Sequence, residues 1–360
     1  MNPREPSTSN LFSAADPKSL LAEISALPDW LAARGQPAFR AKQIVHWMFQ
    51  GRADSFDQMS DLPASLRAEL AQHFMLWSTT IVRHQRSEDG TEKLLLRLND
   101  GGLIECVLLR DGDRRTVCVS SQVGCAMGCV FCASGLQGVD RNLADHEIVE
   151  QVLRLQRLLP ANERLSHIVM MGMGEPLANV ENVQSALKQA ADPNYFGISA
   201  RRITISTVGL PPAIRRLADA GCRYHLAISL HAPNDELRNQ LVPVNRKIGI
   251  AELLEAADYF FEKTGRRLTF EYVLLAGVND STSQAEELGA LLSGRTMLLN
   301  VIPYNPVAGL PYQTPSAAAI LEFRRRVERY GITIKFRQRK GDQINAACGQ
   351  LRREVMPTTP

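Results

Sequence analysis

Apolar runs long enough to cross a membrane are missing from this sequence, since a spanning helix needs about 18 or more consecutive apolar residues. The N-terminal stretch M-N-P-R-E-P-S-T-S-N is polar and lacks the apolar core of a signal peptide. The chain also carries no strong charge of either sign, since its net charge is +3 over 360 residues. So small a positive charge is only weak evidence for a nucleic-acid partner. We therefore expect a cytoplasmic globular protein of about two domains, with no membrane partner.

Paired motifs typical of structural zinc are absent too, since there is no second C-x2-C and no H-x3-H. In a reducing compartment the seven cysteines are expected to be metal ligands or reactive thiols rather than disulfides. Cys125, Cys129 and Cys132 stand in C-x3-C-x2-C, and Gly124 and Gly128 allow the tight loop that would wrap them around a small inorganic body. Iron–sulfur clusters usually take four thiolates, so this triplet predicts a [4Fe-4S] cluster with one iron open to another ligand. A structural zinc site and plain buried thiols are the alternatives.

The N-terminal part of the chain has a helical pattern. Residues 1–17 are expected to form a disordered tail, and 18–90 an N-terminal helical accessory domain. Apolar residues recur at helical spacing from 19 to 30, from 39 to 50 and from 62 to 70. The aromatic side chains of this domain are expected in its core, with a stacking platform as the alternative. Its basic residues are available to a phosphate backbone.

The pattern changes to strands near Ile81, and residues 91–110 are predicted to form a β-hairpin extension around the turn sequence N-D-G-G. Glu105 lies on the second strand of this hairpin. One interpretation of Glu105 is a cross-strand ion pair with Lys93 or Arg97. The other is a partly buried carboxylate with a raised pKa that serves as a base. The residues alone do not separate the two.

Strands and helices alternate over residues 111–345, which predicts an α/β fold with a parallel sheet and helical crossovers. The expected strands are Thr116–Ser120, His167–Gly172, Arg202–Thr207, Tyr224–Ser229, Leu268–Leu275, Met297–Ile302 and Ile332–Phe336. The expected amphipathic helices are Asp145–Leu159, Val180–Ala191, Pro211–Ala220, Ile250–Lys263, Thr282–Ser293 and Ser316–Tyr330. In such folds the functional residues lie at the C-terminal ends of the strands.

Short motifs directly follow several of these strands. The cysteine loop follows the first strand, M-G-M-G-E-P the second, S-T-V-G the third, S-L-H-A-P-N the fourth and I-P-Y-N-P the sixth. Gly172 and Gly174 would let the backbone approach a ligand closely, and Glu175 can accept hydrogen bonds from an ammonium group. Four polar residues at strand ends can hold a ribose or a carboxylate, although such residues are also common in turns for structural reasons: Ser206, Ser229, His231 and Asn305.

The C-terminal region contains a basic cluster and then a single cysteine. The cluster consists of Lys335, Arg337, Arg339 and Lys340. It is either a solvated strand end or, beside an active site, a place for phosphates. Cys348 follows in the C-terminal segment 346–360, where alanine and glycine neighbours leave its sulfur sterically accessible.

Taken in order, these motifs resemble the RlmN family, bacterial dual-specificity radical S-adenosylmethionine (SAM) methyltransferases. The resemblance spans nearly the whole chain and is carried by F-R-A-K-Q-I-V-H-W, V-C-V-S-S-Q-V-G-C-x3-C-x-F-C, G-M-G-E-P, S-L-H-A-P-N-D, I-P-Y-N-P and A-A-C-G-Q-L. Val208 and Tyr304 are mild departures from the family pattern. The resemblance implies a partial (βα)6-type radical SAM barrel with an RNA-binding helical domain at its N-terminus. It also implies methylation of adenine C2 in large-subunit (23S) ribosomal RNA and in certain tRNAs.

The resemblance further implies a role for individual residues. A first SAM methylates Cys348, and a second SAM on the open iron gives a 5′-deoxyadenosyl radical that activates this methyl group. Glu105 matches the proton acceptor, and Cys118 matches the resolving thiol that releases the product through a transient disulfide with Cys348. The implied SAM contacts are Gly174, Glu175, Ser206, Ser229, Leu230, His231 and Asn305. An external electron donor of the flavodoxin type is also implied, and we expect a monomer.

Three other functions stay open. A sister family methylates adenine C8 by similar chemistry and shares the cluster and both reactive cysteines. A non-catalytic RNA-binding protein with a structural cluster or zinc would need neither Cys118 nor Cys348. A radical SAM enzyme that acts on a protein or small molecule is the third, and the basic C-terminal cluster argues mildly against it.

Overall fold

The computed structural model of the protein describes residues 17–337 and 339–351. Residues 1–16 of the expected disordered tail and residues 352–360 of the C-terminal segment lie outside the described residues. Within the described ranges, every helix is too short or too polar to cross a membrane.

The N-terminal part is a small helical unit. Its elements are β1 (Lys18–Ser19), α1 (Leu27–Ala32), α2 (Phe39–Phe49), α3 (Ala64–His73) and β2 (Phe74–Met75), with β1 parallel to β2. The chain makes turns over residues 20–26, so the predicted first helix begins only at Leu27, where a proline occupies the first turn. Phe49 is buried at the end of α2, and its ring packs edge-on against Tyr195 and Phe196 at centroid distances of 4.8 and 5.0 Å. This aromatic side chain therefore belongs to the core and joins the helical unit to the rest of the protein.

One ten-stranded sheet carries the rest of the fold. Its first strands are β3 (Thr80–Arg86), β4 (Glu92–Arg97), β5 (Leu103–Asp111) and β6 (Arg114–Cys118), each antiparallel to the next. The predicted hairpin is present as β4 and β5. Strand β3 falls inside the range 18–90, yet it extends the sheet by pairing with β4, so the helical unit ends before it.

A short hairpin outside the main sheet follows β6 and consists of β7 (Gln122–Gly124) and β8 (Val139–Asn142). The β/α units then run in this order: α4 (Asp145–Gln156), β9 (His167–Met170), α5 (Val180–Ala191), β10 (Ile203–Thr207), α6 (Pro211–Asp219), β11 (His225–Ser229), α7 (Asp235–Leu241), α8 (Ile250–Thr264), β12 (Leu268–Leu274), α9 (Thr282–Leu292), β13 (Met297–Pro303), α10 (Ala317–Glu328) and β14 (Ile334–Phe336). Every strand and helix predicted for this region is present, with ends that differ by a few residues at most.

The strand order in the sheet is β14-β13-β12-β11-β10-β9-β6-β5-β4-β3. All neighbours from β6 to β14 are parallel, so their C-terminal ends lie along one edge of the sheet. Among the described strands, β14 and β3 have a sheet neighbour on one side only, so the sheet does not close into a ring. This open parallel array agrees with the expected partial barrel, and its edge is where the predicted motifs meet.

Helix α8 shows how closely the helices cover the sheet. Its Leu253 is fully buried and lies against the turn that follows β10. Gly209 in that turn has a φ of 94°, and a Cβ atom there would lie 2.1 Å from Leu253 Cδ1. Glycine is therefore required both by the backbone angle and by the helix that covers it.

Candidate active site

The loop with the three cysteines connects β7 to β8. Gly128 lies between the first two cysteines at a φ of 67°, a backbone angle that favours glycine, so the predicted tight turn is present. The Cys132 N–H donates to the Cys129 carbonyl at 3.1 Å, and the Cys125 N–H donates to the Gly138 carbonyl at 2.8 Å. These bonds fold the loop back on itself, and the three cysteines line one cavity.

This first cavity, about 150 Å³ in volume, brings together most of the predicted SAM contacts. Besides the three cysteines it is lined by Gly174, Glu175, Ser206, Ser229, His231, Asn305 and Cys348. Leu230 is the exception, because its side chain lies fully buried in the main hydrophobic core rather than among the described lining residues. Five separate strand-end motifs thus converge on one site, as the parallel sheet predicts.

The donor set fits an iron–sulfur cluster better than a single metal ion. In the described residues, no three His, Cys, Asp or Glu side chains converge closely enough to hold one ion. Burial raises the pKa of Cys125 to about 11 and raises the pKa of Cys129 and Cys132 as well. Coordination to a metal centre would hold these thiols as thiolates despite their burial. Three sulfurs around a cavity suit a [4Fe-4S] cluster, which these three residues would hold.

The glycines of the M-G-M-G-E-P turn serve close packing of the chain on itself. A Cβ atom on Gly172 would lie 2.7 Å from the Ser120 backbone nitrogen, and one on Gly174 would lie 2.7 Å from the Gln122 backbone nitrogen. Gly174 also has a φ of 103°. The turn therefore needs glycine at these two positions in order to pack against residues 120–122, the segment that leads into the cysteine loop. Gly172 and Gly174 also line the first cavity, so the expectation that they let the backbone approach a ligand stays a prediction beside this packing role.

Glu175 ties two of the strand-end turns together. Its carboxylate accepts the Leu177 N–H at 2.9 Å through Oε1 and the Val208 N–H at 2.8 Å through Oε2. Burial raises the pKa of Glu175, and the hydrogen bonds from these backbone groups oppose the rise. The carboxylate is thereby held at the floor of the first cavity, between the turns after β9 and β10.

Arg238 is a central residue of the site that the sequence analysis did not identify. Its guanidinium is fully buried and donates to the carbonyls of Leu230 at 3.0 Å, Val208 at 2.6 Å and Ser229 at 3.0 Å. It also donates to the Asn245 side-chain oxygen. Burial lowers the pKa of Arg238 to about 10, so the group stays charged at neutral pH. One cation thus fixes the turns after β10 and β11, and the backbone of Leu230, not its side chain, contributes to the site.

His231 is held as a neutral imidazole. Its Nδ1 accepts the Val273 N–H at 3.0 Å, which leaves the ring proton on Nε2. Burial and, to a smaller extent, the nearby charge of Arg238 together lower the pKa of His231 to about 3. The backbone has a φ of 62°, and the ring packs edge-on against Phe131 at 4.8 Å. His231 therefore offers one N–H donor whose protonation does not change between pH 5 and 8.

Asn305 and the C-terminal segment close the first cavity. The Asn305 amide donates to the Cys348 carbonyl at 3.2 Å, while its Oδ1 is buried and has no hydrogen-bond partner among the described residues. Such an atom suits a ligand that brings a donor, and the ammonium and ribose hydroxyl groups of SAM are donors of this kind. The Ala133 N–H donates to the Gly349 carbonyl at 2.8 Å, so the Cys348 segment is fastened directly to the cysteine loop.

A second cavity, about 440 Å³ in volume, lies beside the first. Cys118 and Cys348 both line it, and the two cavities share Met171, Ile302, Asn305 and Cys348. Its charged lining consists of Arg114, Lys335, Arg337, Arg339 and Lys340 with one acidic residue, Asp111. The predicted basic cluster therefore lines the same cavity as Cys118 and Cys348.

Cys118 lies at the end of β6 in this second cavity. Its pKa is raised to about 12, mainly by burial and also by the neighbouring Cys348, while the charge of Arg337 opposes the rise. In turn the proximity of Cys348 is the main cause of the raised pKa of Arg337. The structure thus brings together the two cysteines to which the sequence analysis gave reactive roles, with a cation next to both.

Glu105 is buried on β5 with 2% of its surface exposed. Its Oε1 lies 2.8 Å from the Lys93 Nζ, so the cross-strand ion pair proposed as one interpretation is present. In the described part of the chain, Glu105 lines neither cavity. The structure therefore shows the ion pair, and the role of base remains a prediction.

Glu271 and Asn300 also reach the site and were missed. Glu271 lines the first cavity, Asn300 lines the second, and the Asn300 amide donates to Glu271 Oε2 at 2.7 Å. Burial raises the pKa of Glu271 to about 7, although the charge of Arg337 lowers it. The two residues lie opposite each other in the register of β12 and β13. Only that register could have revealed them, since each stands in the middle of a strand rather than in a motif.

A parallel α/β sheet that brings a three-cysteine loop and a glycine-rich turn to one cavity defines a radical SAM enzyme. The Radical SAM superfamily model matches residues 119–288, and the model of the ribosomal RNA large subunit methyltransferase N-terminal domain matches residues 21–76. A probable dual-specificity RNA methyltransferase RlmN of Rhodopirellula baltica is 67% identical, over 91% of this chain and 88% of its own length. A protein of the same name from Symbiobacterium thermophilum is 46% identical, over 94% of each chain.

A solved structure agrees with these relatives. The crystal structure of a radical SAM methyltransferase from Sphaerobacter thermophilus is 47% identical in sequence, with a TM-score of 0.90 over 94% of this chain and 100% of that chain. The chain belongs to the RlmN family.

Proposed function

We propose that the protein methylates C2 of adenine in 23S ribosomal RNA and in certain tRNAs, with Cys348 as the carrier of the methyl group. The observation that carries this proposal is that Cys348 lines both cavities, one with the cysteine loop and one with the basic residues. A methyl carrier needs such a place, because it must accept the group on one side and deliver it on the other. The names of the relatives as dual-specificity RNA methyltransferases support RNA as the substrate.

The chemistry of the target explains why a radical enzyme is needed. Adenine C2 lies between two ring nitrogens and is electron-poor, so it does not attack the methyl group of SAM as a nucleophile. When bound by Cys125, Cys129 and Cys132, a [4Fe-4S] cluster supplies the electron that cleaves SAM and starts radical chemistry. We place SAM in the first cavity, with Gly174, Glu175, Ser206, Ser229, the backbone of Leu230, His231 and Asn305 as contacts.

The chain's own residues carry the methyl group and the protons. The Cys348 thiolate takes a methyl group from a first SAM by displacement, which releases S-adenosylhomocysteine. After the carbon of that group has bonded to C2, Glu105 removes the C2 proton. The Cys118 thiolate then attacks the sulfur of Cys348, so that a disulfide forms and the carbon–sulfur bond breaks with its electron pair on the carbon, which takes up a proton to complete the methyl group. An external reductant returns the two thiols.

The second cavity is the proposed site of the target nucleotide. Its wall carries five basic side chains and one acidic side chain, which suits a phosphate backbone. The adenine must leave its stack to expose C2 to Cys348. The N-terminal unit is proposed to hold the folded RNA, since Phe39 is 53% exposed and the Arg40 guanidinium lies over its ring at 4.9 Å.

We further propose a division of the chain into an accessory RNA-binding domain within 18–90, whose helical part ends before β3, a hairpin extension over 91–110, a radical SAM core over 111–345 and a C-terminal segment over 346–360 that carries the methyl group. The protein is proposed to act as a cytoplasmic monomer with a flavodoxin-type electron donor. Size-exclusion chromatography with light scattering tests the oligomeric state, and reduction of the cluster by flavodoxin tests the donor.

A product assay tests the function. The protein is reconstituted anaerobically with iron, sulfide, SAM and a reductant, then given RNA from a strain that lacks this methylation, and the digested RNA is examined by mass spectrometry. 2-Methyladenosine is expected as the product. Formation of 8-methyladenosine would show that the enzyme methylates adenine C8 instead of C2. Cys348→Ala should abolish the product while the cluster stays intact. Cys118→Ala should accumulate an unresolved RNA–protein crosslink, and normal turnover of that variant would refute the resolving role.

A further inference from the structure

Lys93 is a buried lysine in the middle of β4. Only 5% of its surface is exposed, and lysine is rarely so buried unless it is paired. Its ammonium group lies 2.8 Å from Glu105 Oε1 and donates to the Asn345 carbonyl at 3.0 Å. One partner lies on the next strand, and the other lies three residues before Cys348. A single ammonium group therefore connects the candidate base to the segment that carries the methyl group.

The register of the sheet places Lys93 on the catalytic face. Lys93 lies opposite Val107 of β5, and Val107 lies opposite Cys118 of β6. Side chains directly opposite each other in neighbouring strands point to the same face, and so does Glu105, two residues before Val107. Lys93, Glu105 and Cys118 thus share one face of the sheet, and the bond to Asn345 shows that the C-terminal segment covers it.

We propose that Lys93 is a positioning residue for methyl transfer, which keeps Glu105 in its carboxylate form and holds the Cys348 segment over it. This proposal rests on the proposed function, in which Glu105 accepts the C2 proton. A cation in direct contact favours the ionised form of a buried carboxylate, and only that form can take up a proton. The Asn345 backbone has a φ of 51°, a left-handed angle that asparagine adopts more readily than most residues, and the bond from Lys93 to its carbonyl holds the segment at this point.

Other groups that titrate lie near Glu105. Cys106 is beside it on β5, and Cys118 lies on β6 on the same face of the sheet. Burial raises the pKa of both thiols, so both are neutral at pH 7. Two arginines are charged nearby, since Arg337 acts on Cys118 and Arg154 acts on Cys106. Lys93 is the cation in ion-pair contact with Glu105.

The test uses the full-length enzyme with its cluster, SAM and RNA substrate, and follows 2-methyladenosine formation from pH 6 to 9. Lys93→Met should lower the rate at least tenfold at pH 7 and accumulate the RNA–protein crosslink, because the adduct keeps its C2 proton. The loss should shrink as the pH rises and Glu105 ionises without its partner. Lys93→Arg should restore the rate to within about threefold. The exposed Lys188→Met on α5 is the matched control and should behave as the wild type.

Infrared spectroscopy gives a readout that does not depend on turnover. A protonated carboxyl band is expected at pH 7 in the Lys93→Met protein and not in Lys93→Met/Glu105→Gln. Should Lys93→Met fail to fold, Lys93→Gln takes its place, since an amide can still donate to the Asn345 carbonyl but carries no charge.

Two outcomes would overturn the proposal while the proposed function stands. One is a Lys93→Met enzyme with the rate and pH profile of the wild type. The other is a loss of equal size at every pH without crosslink, which is what a purely structural role predicts. If the wild-type enzyme makes no 2-methyladenosine, the proposed function fails and this proposal fails with it.

Discussion

Replacing Arg238 by lysine tests whether one buried cation holds the SAM site together. Arg238 donates to three backbone carbonyls and to one side-chain oxygen, from a side chain with no exposed surface. These acceptors belong to the turns after β10 and β11 and to the helix region that follows. Lysine keeps the charge, but its donors radiate from one nitrogen and cannot reproduce the planar fork of a guanidinium.

The expected cost follows from the acceptors left without a partner. At least two of the four buried acceptors lose their hydrogen bond in Arg238→Lys, and each such loss costs about 1–3 kcal/mol. The free energy of unfolding should therefore fall by about 2–6 kcal/mol. SAM affinity should fall as well, because the carbonyls of Val208 and Ser229 fix the turns that line the first cavity. The wild-type guanidinium, with a pKa of about 10, is charged at both pH 6 and pH 8, whereas burial lowers the pKa of a lysine placed there, so both effects should be at least as large at pH 8 as at pH 6.

Urea denaturation and equilibrium dialysis with SAM measure the two effects on the reconstituted enzyme. The urea concentration at the unfolding midpoint should fall, while the slope of the free energy of unfolding against urea concentration stays unchanged. A changed slope would indicate a different unfolding reaction rather than lost stability. Arg216→Lys is the control, since Arg216 lies exposed on the neighbouring helix α6. A loss below 1 kcal/mol for Arg238→Lys together with unchanged SAM binding would refute the reasoning.

Three further predictions concern single side chains. Gly209→Ala should lower the free energy of unfolding, measured by urea denaturation, by about 2–4 kcal/mol, because the new Cβ atom would meet Leu253. Gly277 also has a positive φ, of 67°, but no atom within 4 Å of such a Cβ, so Gly277→Ala is the control and should cost only about 1 kcal/mol. Glu271→Gln should make the free energy of unfolding depend less on pH. In the wild type the folded state keeps a proton on Glu271 up to about pH 7, whereas the unfolded chain releases it near pH 4.5. The wild-type free energy of unfolding should therefore fall by about 3 kcal/mol as the pH rises between these two values. His231 should add no titration step to the SAM affinity measured by dialysis, since it stays neutral down to about pH 3. Any step near pH 7 from Glu271, which lines the same cavity, should persist in His231→Asn, and a step near pH 6.5 that vanishes in that variant would contradict this.

The order of elements could be predicted because the apolar periodicity is regular in the β/α region. Helix α5 runs from Val180 to Ala191 in the structure, as its amphipathic pattern indicates. The first helix was less predictable, since residues 20–26 carry a helical pattern yet form turns against β2. Propensity is a weak guide where a two-strand contact decides the local backbone.

The part of the site that is built from strand-end motifs could be predicted from the sequence, because the topology of a parallel sheet brings those motifs together. Residues that follow parallel strands meet at one edge, so Glu175, His231 and Asn305 could be placed together from their motifs. Arg238 could not, because nothing in the sequence around it marks an arginine as fully buried. The contact between Lys93 and Asn345 joins residues 252 positions apart, and no local pattern encodes such a contact.

The segment that carries Cys348 also spans the open side of the sheet. Lys340 reaches from the end of β14 to Asp111 at the end of β5, with Nζ and Oδ1 2.9 Å apart, and the Gly341 N–H donates to Asp89 Oδ2 at 2.8 Å. The Lys340–Asp111 pair is partly open to solvent, and a pair of this kind contributes only about 0–1 kcal/mol and weakens with salt. Breaking this ion pair costs far less than breaking any strand pairing, so we expect added salt to loosen this rim of the second cavity before it unfolds the sheet.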